Sequence, residues 1–283
     1  MWHFETLFQS LYVLLSPLMQ TKIEGIVLSK IPYDERHIIA HLLLRSGRKV
    51  SVVFYGGRGG GKKQKSSVIE LGFMLVVELR TGSSQNDLYH AKEWSLLWHH
   101  DVIRLNHTAF YLMCFFLEVI NKISPIENLH DVHEENVEMV GLFTSLSNAL
   151  VHLEKCLQAK SFYTHSHSHS VIFLTKTLLH LGVFPEREHC TLCGEELVKF
   201  NDMYLIAEEG GFSCPPCLNQ NKVYSVQSGR ELWEIIGHIA HTKYNELGSI
   251  ELEYKSLPIM LFHYFCYQFH YEEKDFRTAS MIF

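Results

Sequence analysis

Up to about residue 100, apolar positions alternate with polar ones or form short runs rich in Ile and Val, a pattern typical of β-strands. We predict five strands, over residues 22–31, 36–45, 48–55, 68–80 and 87–94. Ser46 and Gly47 are expected to form a tight hairpin turn between the second strand and the third. Five short strands in so short a segment favour a small closed barrel, and the five-stranded OB fold is the natural candidate.

Beyond residue 100, the apolar positions recur at helical spacing instead. We predict helices over residues 108–123, 134–157, 171–181, 229–241 and 257–271. Pro125 interrupts the pattern after the first helix, and Gly182 and Pro185 are stop signals for the third. The predicted fold class is therefore α+β and multidomain, with an N-terminal five-stranded OB-fold β-barrel and a C-terminal all-α bundle that contains an inserted four-cysteine zinc module.

The change of pattern divides the chain into five segments. They are an N-terminal extension (1–20), the barrel (21–100), the first part of the helical domain (101–184), the cysteine module (185–222) and the second part of the helical domain (223–283). The extension contains an apolar run at 11–15, which is too short to cross a bilayer and lacks the basic start of a secretory signal. We therefore expect a cytoplasmic protein without a membrane partner, and Met19 as an alternative start.

Four of the seven cysteines form two CxxC pairs, Cys190 with Cys193 and Cys214 with Cys217, and twenty residues separate the pairs. A CxxC turn brings two thiolates to one side of a tight loop, and two such turns complete a tetrahedron around Zn²⁺. Two disulfides or a redox pair are the alternatives, but a reducing compartment disfavours disulfides and the sequence lacks the βαβ pattern of a redox motif. We predict one structural zinc ion, because four thiolates leave no coordination position open.

Other Cys and His residues carry weaker signals. Three cysteines lie singly in apolar helical segments and are predicted to be small core residues, namely Cys114, Cys156 and Cys266. His165, His167 and His169 alternate with serines and could bind a metal, but at helical pitch only the first and the last share a face. We therefore expect this run to form a solvated helix start.

The charge of the chain is unevenly distributed. The overall net charge of −6 by itself disfavours a nucleic-acid partner. Residues 21–66, however, contain ten Lys or Arg and three acids, so this stretch carries +7 and the rest of the chain −13. Such an asymmetry indicates an electrostatic footprint confined to the barrel.

Residues 56–62 match most of a P-loop, G-x-x-x-x-G-K. Lys63, however, stands where Ser or Thr would hold magnesium, and a strand rather than a helix is predicted to follow. We interpret residues 56–67 as a flexible basic loop whose lysines contact phosphates without reading bases. Groupings typical of catalysis, such as Ser/His/Asp or paired carboxylates, do not stand out in the sequence, although catalytic groups can lie far apart along a chain.

The motifs along the chain resemble those of one family. The barrel opens with Lys22-Ile-Glu-Gly-Ile-Val-Leu-Ser, and Gly-Arg-x-x-x-Lys-Lys-x-Lys-Ser follows at 57–66. Leu181-Gly-Val-Phe-Pro185 then precedes the first CxxC pair by a few residues. In this order the motifs resemble the bacterial RecO family of DNA recombination mediators, over nearly the whole chain from about residue 19. The closing Phe276-Arg-Thr-Ala-Ser resembles a reduced form of that family's basic C-terminal motif, with Arg277 as its single cation.

The resemblance implies a non-enzymatic, nucleoid-associated protein that binds single- and double-stranded DNA and anneals complementary strands. With RecR, it would help to load the RecA recombinase onto DNA coated by single-strand-binding protein, whose acidic C-terminal tail would dock on the helical domain. The resemblance assigns the DNA contacts to the basic residues of the barrel, which are Arg36, Arg45, Arg48, Lys49, Arg58, Lys62, Lys63 and Lys65. Phe54 and Tyr55 precede the basic loop on opposite faces of a strand, so at most one of them can stack on a base.

Two other hypotheses remain open at the level of sequence. One is a zinc-ribbon scaffold that binds protein partners without direct DNA binding, its barrel charges being incidental. The other is an enzyme that uses the Gly/Lys loop for phosphate chemistry. Strand annealing across a salt series separates the mediator from the scaffold, and magnesium-dependent ATP turnover that requires Lys62 would identify the enzyme.

Overall fold

Alternation of buried and exposed side chains builds a five-stranded barrel in the first part of the chain. The structure is a computed structural model that describes residues 22–56, 68–80, 88–129, 139–159, 167–220, 229–247, 250, 252 and 256–283. Its strands are β1 (Lys22–Tyr33), β2 (His37–Leu44), β3 (Lys49–Phe54), β4 (Met74–Leu79) and β5 (Leu88–Trp98). They close into a barrel in the order β1-β2-β3-β5-β4, and β3 and β5 are the parallel neighbours among antiparallel ones. The predicted five-stranded barrel is confirmed.

Apolar side chains from alternating positions fill the inside of the barrel, and Phe54 and Tyr89 are the largest of them. Gly25 lies where β1 passes close to β2, because a Cβ at this position would come within 2.9 Å of the Cβ of Leu42. Burial of one large aliphatic or aromatic side chain contributes about 1.5–3 kcal/mol. Burial of the apolar side chains at these alternating positions is therefore the main source of the barrel's stability.

Two strands, β4 and β5, depart most from their predicted ranges. β4 begins at Met74 rather than at residue 68, because a turn precedes it in which Gly72 has a φ of 77° and donates a hydrogen bond to the carbonyl of Val27. β5 continues to Trp98 because its pairing with β4 extends as far as Met74.

A short segment beyond the first long helix returns to the barrel. The backbone N–H of Lys49 donates to Pro125 O, and that of Glu127 donates to Lys49 O, both at 2.8 Å. The hydroxyl of Tyr89 accepts a hydrogen bond from the backbone N–H of Leu129 at 2.7 Å. The chain accordingly divides into two compact units, and the segment that begins at Pro125 belongs to the barrel unit rather than to the predicted helical domain.

The second unit is mainly helical. Its described residues form α1 (Asp101–Leu105), α2 (His107–Ile123), α3 (Val140–Gln158), α4 (Ser168–His180), α5 (Pro215–Gln220), α6 (Arg230–His241) and α7 (Leu257–Gln268). All residues of α4 from Ser168 to Leu178 are buried, and α4 packs against α3, α6 and α7, so it is the central helix. Within the described ranges, none of the helices has the length and hydrophobicity needed to cross a membrane.

Aromatic rings form the core between the long helices. Phe116 of α2 stacks on Phe173 of α4 with ring centroids 4.3 Å apart, and Phe115 meets Phe262 of α7 edge-on at 5.4 Å. Phe276, near the end of the chain, also packs edge-on against Phe262 at 5.2 Å. Such pairs contribute about 0.5–1.5 kcal/mol each beyond their buried area, so the rings tie the last residues of the chain to the helices.

Candidate metal centre and nucleic-acid interface

A β-hairpin and two tight turns bring the CxxC pairs together. β6 (Tyr204–Ile206) pairs with β7 (Gly211–Ser213), which leads directly into Cys214. In the first pair, the N–H of Gly194 donates to Cys190 O at 2.9 Å, and a φ of 78° at Gly194 closes the turn. At the hairpin, a Cβ on Gly211 would lie 2.5 Å from the carbonyl oxygen of Glu186, so this position has no room for a side chain.

The four thiols converge on one point. The Sγ atoms of Cys190, Cys193, Cys214 and Cys217 all lie within 4.8 Å of one another, and none of these cysteines is bridged. Sγ of Cys193 lies 3.7 Å from Sγ of Cys214. Two sulfurs that bind one zinc at about 2.3 Å with a tetrahedral angle would lie about 3.8 Å apart. The predicted clustering is confirmed, and its geometry suits a shared metal ion.

The electrostatics of the cluster also suit a cation. Burial raises the pKa of the Cys190 thiol, but backbone N–H donors, including that of Cys214 at 3.3 Å, outweigh burial and lower the pKa to about 6. Burial raises the pKa of the Cys214 and Cys217 thiols. A divalent ion among the four sulfurs would stabilise every thiolate and remove their mutual repulsion.

The cysteine module is anchored to α6 and α7. The indole N–H of Trp233 donates to Arg187 O at 2.7 Å, and the guanidinium of Arg187 lies 4.4 Å from the centre of the Trp233 ring. The hydroxyl of Tyr264 donates to the carbonyls of Val183 at 3.2 Å and Gly210 at 3.1 Å. These contacts fix the start of the module and the connection between β6 and β7 to the helices. The module is therefore part of the helical unit.

The structure places four of the predicted DNA-contact residues on the barrel. Arg36 is exposed in the turn between β1 and β2. Arg45, at the end of β2, has a side chain that is 60% exposed, and its Nε lies 2.8 Å from a carboxylate oxygen of Glu24. The other four predicted contacts, Arg58, Lys62, Lys63 and Lys65, lie outside the described residues.

Arg48 and Lys49 are more enclosed than Arg36 and Arg45. The Arg48 side chain is 17% exposed, donates from Nη2 to Ile126 O at 2.8 Å, and lies 3.4 Å from a carboxylate oxygen of Glu127. Lys49 is half-buried, and its backbone bridges to the same segment. Both residues therefore connect β3 to the returning segment of the chain.

An aromatic and cationic cluster lies beside the start of the basic loop. Phe54 is fully buried, whereas Tyr55 is 36% exposed. The Tyr55 ring stacks on His90 with centroids 5.5 Å apart, and its hydroxyl lies 2.9 Å from Nδ1 of that histidine. Arg80 lies 4.9 Å from the centre of the Tyr55 ring, and His37 meets its edge at 4.8 Å. We call these four residues, Tyr55, His37, Arg80 and His90, the Tyr55 cluster.

Sequence reasoning identified Tyr55 as one of two stacking candidates but missed its three partners. His37 begins β2, Arg80 follows β4 and His90 lies in β5, so no local spacing connects them. The pairing of β3 with β5, which sets Val53 opposite His90, is what brings them together. Only the barrel topology supplies that signal.

The end of the chain is fixed to α2 by polar contacts. The backbone N–H groups of Arg277 and Thr278 each donate to the carboxylate of Glu118 at 2.9 Å, and the Thr278 hydroxyl donates to the same carboxylate at 2.5 Å. Phe276 is buried. The motif around Arg277 therefore serves to anchor the C-terminus on the helical unit.

No family model matches the chain, and the search of curated proteins also finds no match.

Proposed function

We propose that this protein is a recombination mediator of the RecO type. It would bind single- and double-stranded DNA, anneal complementary strands and, with RecR, help to load RecA onto DNA coated by single-strand-binding protein. The observation that carries the proposal is the barrel order β1-β2-β3-β5-β4 with its parallel β3–β5 pair. This order supports an OB fold, a class of barrel that binds single strands over its β2–β3 face and the adjoining loops.

The Tyr55 cluster supports the same assignment. Tyr55 lies at the end of β3, directly before the loop that contains Arg58, Lys62, Lys63 and Lys65. OB-fold surfaces combine aromatic rings, on which bases stack at about 1–3 kcal/mol each, with cations that follow the phosphates. Tyr55 and Arg80 offer that combination on one patch of the barrel. Stacking and phosphate contacts do not depend on which base is bound. An annealing protein requires this independence, because it acts on strands of any sequence.

The ion pairs of the barrel divide the predicted contacts into two groups. The pair between Arg45 and Glu24 is solvent-exposed, and such pairs contribute about 0–1 kcal/mol, so Arg45 can exchange its carboxylate for a phosphate at little cost. We assign DNA contacts to Arg36, Arg45, Lys49 and the four loop cations. Arg48 is assigned a structural role, because it holds Glu127 and the carbonyl of Ile126.

In the helical unit, we propose that the four cysteines hold one Zn²⁺ ion with a structural role. A complete set of four thiolates fits zinc and leaves no position for a substrate. The bound ion would fix the module against α6 and α7, where the Trp233 and Tyr264 contacts already hold it. The helical bundle would then offer the docking surface for RecR and for the acidic tail of single-strand-binding protein.

Annealing of complementary oligonucleotides over a salt series tests the proposal. The wild-type chain should anneal at low salt, and log K for single strands should fall linearly with log salt. Replacing Arg58, Lys62, Lys63 and Lys65 by Ala should reduce the slope by about 3, because each phosphate that a cation neutralises contributes about 0.7. The matched control replaces four exposed lysines of the helical unit, Lys155, Lys199, Lys243 and Lys274, and should leave the slope unchanged. A wild-type chain that fails to bind DNA at low salt would exclude a mediator.

The partners are tested on DNA coated with single-strand-binding protein. We expect annealing to persist on coated strands, and RecA loading to require RecR in addition. Truncation of the acidic tail of the coating protein should abolish both effects while annealing of naked strands continues. Equal activity with the truncated protein would separate DNA binding from partner binding and remove the mediator role.

A second candidate is a zinc-ribbon scaffold that binds protein partners without DNA. It is favoured by the exposed apolar side chains of the cysteine module, where Leu192 is 36% and Val198 is 66% exposed. Leu192→Ser with Val198→Ser should abolish capture of RecR if the module is the binding surface. Retained RecR capture by the wild type, combined with no DNA binding at low salt, would favour this scaffold over the mediator.

A further inference from the structure

A second group of metal-binding side chains lies between α3 and α4, within the helical unit. His152 and Cys156 are one helical turn apart on α3, so they share a face, and His169 lies in the first turn of α4, which packs against α3. One ligand atom from each of the three residues lies within 4.8 Å of the other two. Both histidines are buried and Cys156 is partly buried.

The spacing of these atoms suits a bound ion. Nε2 of His152 lies 3.7 Å from Sγ of Cys156. An imidazole nitrogen at about 2.1 Å and a thiolate sulfur at about 2.3 Å from one tetrahedral zinc would lie about 3.6 Å apart. The rings of His152 and His169 are 5.4 Å apart and tilted by 60°, so the two rings are not stacked face to face. Two imidazoles and a thiolate form a donor set suited to zinc and its transition-metal neighbours rather than to magnesium or calcium.

We propose that His152, Cys156 and His169 form a second metal site, for a divalent transition-metal ion of the zinc type, with its fourth coordination position open. Three protein ligands define an open site, in contrast to the closed set of four cysteines. His152 also lines a cavity of about 390 Å³ whose other lining residues include Lys176 and Lys243. An ion at this site would therefore have a cationic cavity beside it, which favours a small anion such as hydroxide or a carboxylate as the fourth ligand.

A polar group near the site is suited to hold the ligand in that fourth position. The ring of Tyr244 lies 5.8 Å from the ring of His152, and Tyr244 also lines the cavity. The Tyr244 hydroxyl oxygen is buried and has no hydrogen-bond partner among the described residues. Buried hydroxyl groups normally have a partner, so the Tyr244 hydroxyl is a candidate to donate a hydrogen bond to a metal-bound anion or water.

This arrangement changes the interpretation of the His165, His167 and His169 run. His167 is the residue before α4, and its carbonyl accepts a hydrogen bond from the Ser170 hydroxyl, whereas His169 is buried against α3. His165 lies outside the described residues. The ligand partners of His169 are therefore on another helix, and the alternation of His and Ser along the chain is incidental to the site.

The metal content of the full chain tests the proposal. The purified protein is dialysed against buffered Zn²⁺, and zinc per chain is measured by elemental analysis. Wild type should hold two ions if the four cysteines also bind one, and Cys156→Ser and His169→Gln should each lose about one ion. Cys114→Ser and His180→Gln are the matched controls, because Cys114 is equally half-buried and His180 lines the same cavity without belonging to the cluster, and both should keep the wild-type content.

A second measurement uses the wild-type chain alone, so it does not depend on whether a variant folds. Alkylation of each cysteine is followed by mass spectrometry with and without Zn²⁺. Metal binding releases the thiol proton to solvent and occupies the sulfur, so the ion should slow alkylation of Cys156 about tenfold or more and leave Cys114 unchanged. Cobalt in place of zinc should give a thiolate charge-transfer band that Cys156→Ser weakens.

The outcomes separate this site from the four-cysteine site. Loss of one ion in Cys156→Ser but not in Cys114→Ser supports it, whether the wild type holds one ion or two. Unchanged metal content in both Cys156→Ser and His169→Gln would overturn it, and so would alkylation of Cys156 that zinc does not slow. In either of the last two cases, the 3.7 Å contact is an ordinary hydrogen bond between a thiol and an imidazole.

Discussion

The barrel and the cysteine module are stabilised in different ways. Among the described residues, fifteen buried ones form one continuous apolar core inside the barrel, whose strands close on themselves without an edge. The module has a two-stranded hairpin and a few buried side chains such as Leu197, Met203 and Phe212, together with four clustered thiols. A two-stranded hairpin is at best marginally stable alone. The barrel can therefore fold from its hydrophobic pattern, whereas we propose that the module needs the bound ion and the helices beside it.

The largest expected effect is on the module. Cys190→Ser removes a buried sulfur that also accepts a hydrogen bond from the N–H of Cys214. A structural zinc ion contributes about 10 kcal/mol or more to the folding of a small module. We therefore expect the variant to lose one zinc ion and the order of the hairpin, seen as rapid proteolysis near β6 and β7, while the barrel stays folded. Cys114→Ser is the control, and full zinc content in Cys190→Ser would contradict the assignment.

The converse test acts on the barrel. Phe54→Ala empties a fully buried position of the barrel core, and such deletions cost about 3–5 kcal/mol. Chemical denaturation monitored on the barrel should show this loss, and elemental analysis should show unchanged zinc. If Phe54→Ala also lost zinc, the barrel and the module would fold as one unit and would not be stabilised independently.

Replacing Tyr55, the residue after Phe54, should affect DNA binding rather than stability. Tyr55→Ala removes an exposed ring from the Tyr55 cluster, so stability should change little while single-strand binding weakens by about 1–3 kcal/mol, measured as Kd by fluorescence anisotropy. Tyr55→Phe is the control, because it keeps the ring and removes only the hydroxyl that contacts Nδ1 of His90. Equal binding by Tyr55→Ala and the wild type would exclude a stacking role.

The smallest expected effect depends on pH. Hydrogen bonds from backbone N–H groups, that of His189 foremost, lower the pKa of Glu186 at the entrance to the module. Because the folded pKa lies below the ordinary value of 4.5, the stabilisation is present above that value and is lost as pH falls through the folded pKa. Glu186→Gln should therefore lower stability by less than about 1 kcal/mol near neutral pH and converge with the wild type in acid. Thermal melting over pH 3–7, roughly the range of carboxyl titration, measures the difference, and a constant offset would refute this account.

Much of the fold followed from local pattern. The strands of the barrel and the long helices were predicted because apolar spacing is imposed by burial, and burial dominates their stability. The short helices α1 and α5 were missed, since five or six residues are too few to show a period. The return of the segment at Pro125 to the barrel was also missed. It depends on two backbone hydrogen bonds with Lys49, and backbone groups are the same for nearly every residue type, so the sequence does not indicate such bonds.

The candidate sites also differ in whether their residues are close together in the sequence. The CxxC pairs were visible in sequence because each turn sets two thiols at a fixed local spacing. His169 was expected to be a solvated helix residue and Cys156 a core residue. Their grouping with His152 was not predicted, because it brings together side chains from two separate helices. Arg48 was predicted as a DNA contact because the family resemblance assigns such contacts to the basic residues of the barrel, whereas the position of Glu127 gives Arg48 a local partner.

The sequence by itself determined the elements whose residues are close in the chain, namely the strands, the long helices, the two cysteine turns and the basic stretch. Tertiary structure alone decided which distant residues meet, such as Tyr55 with His90 and His152 with His169. The physical reason is that the spacing of residues along the chain carries only local information. Periodicity reports which face of an element is buried, but strand order and helix packing select what that face is buried against.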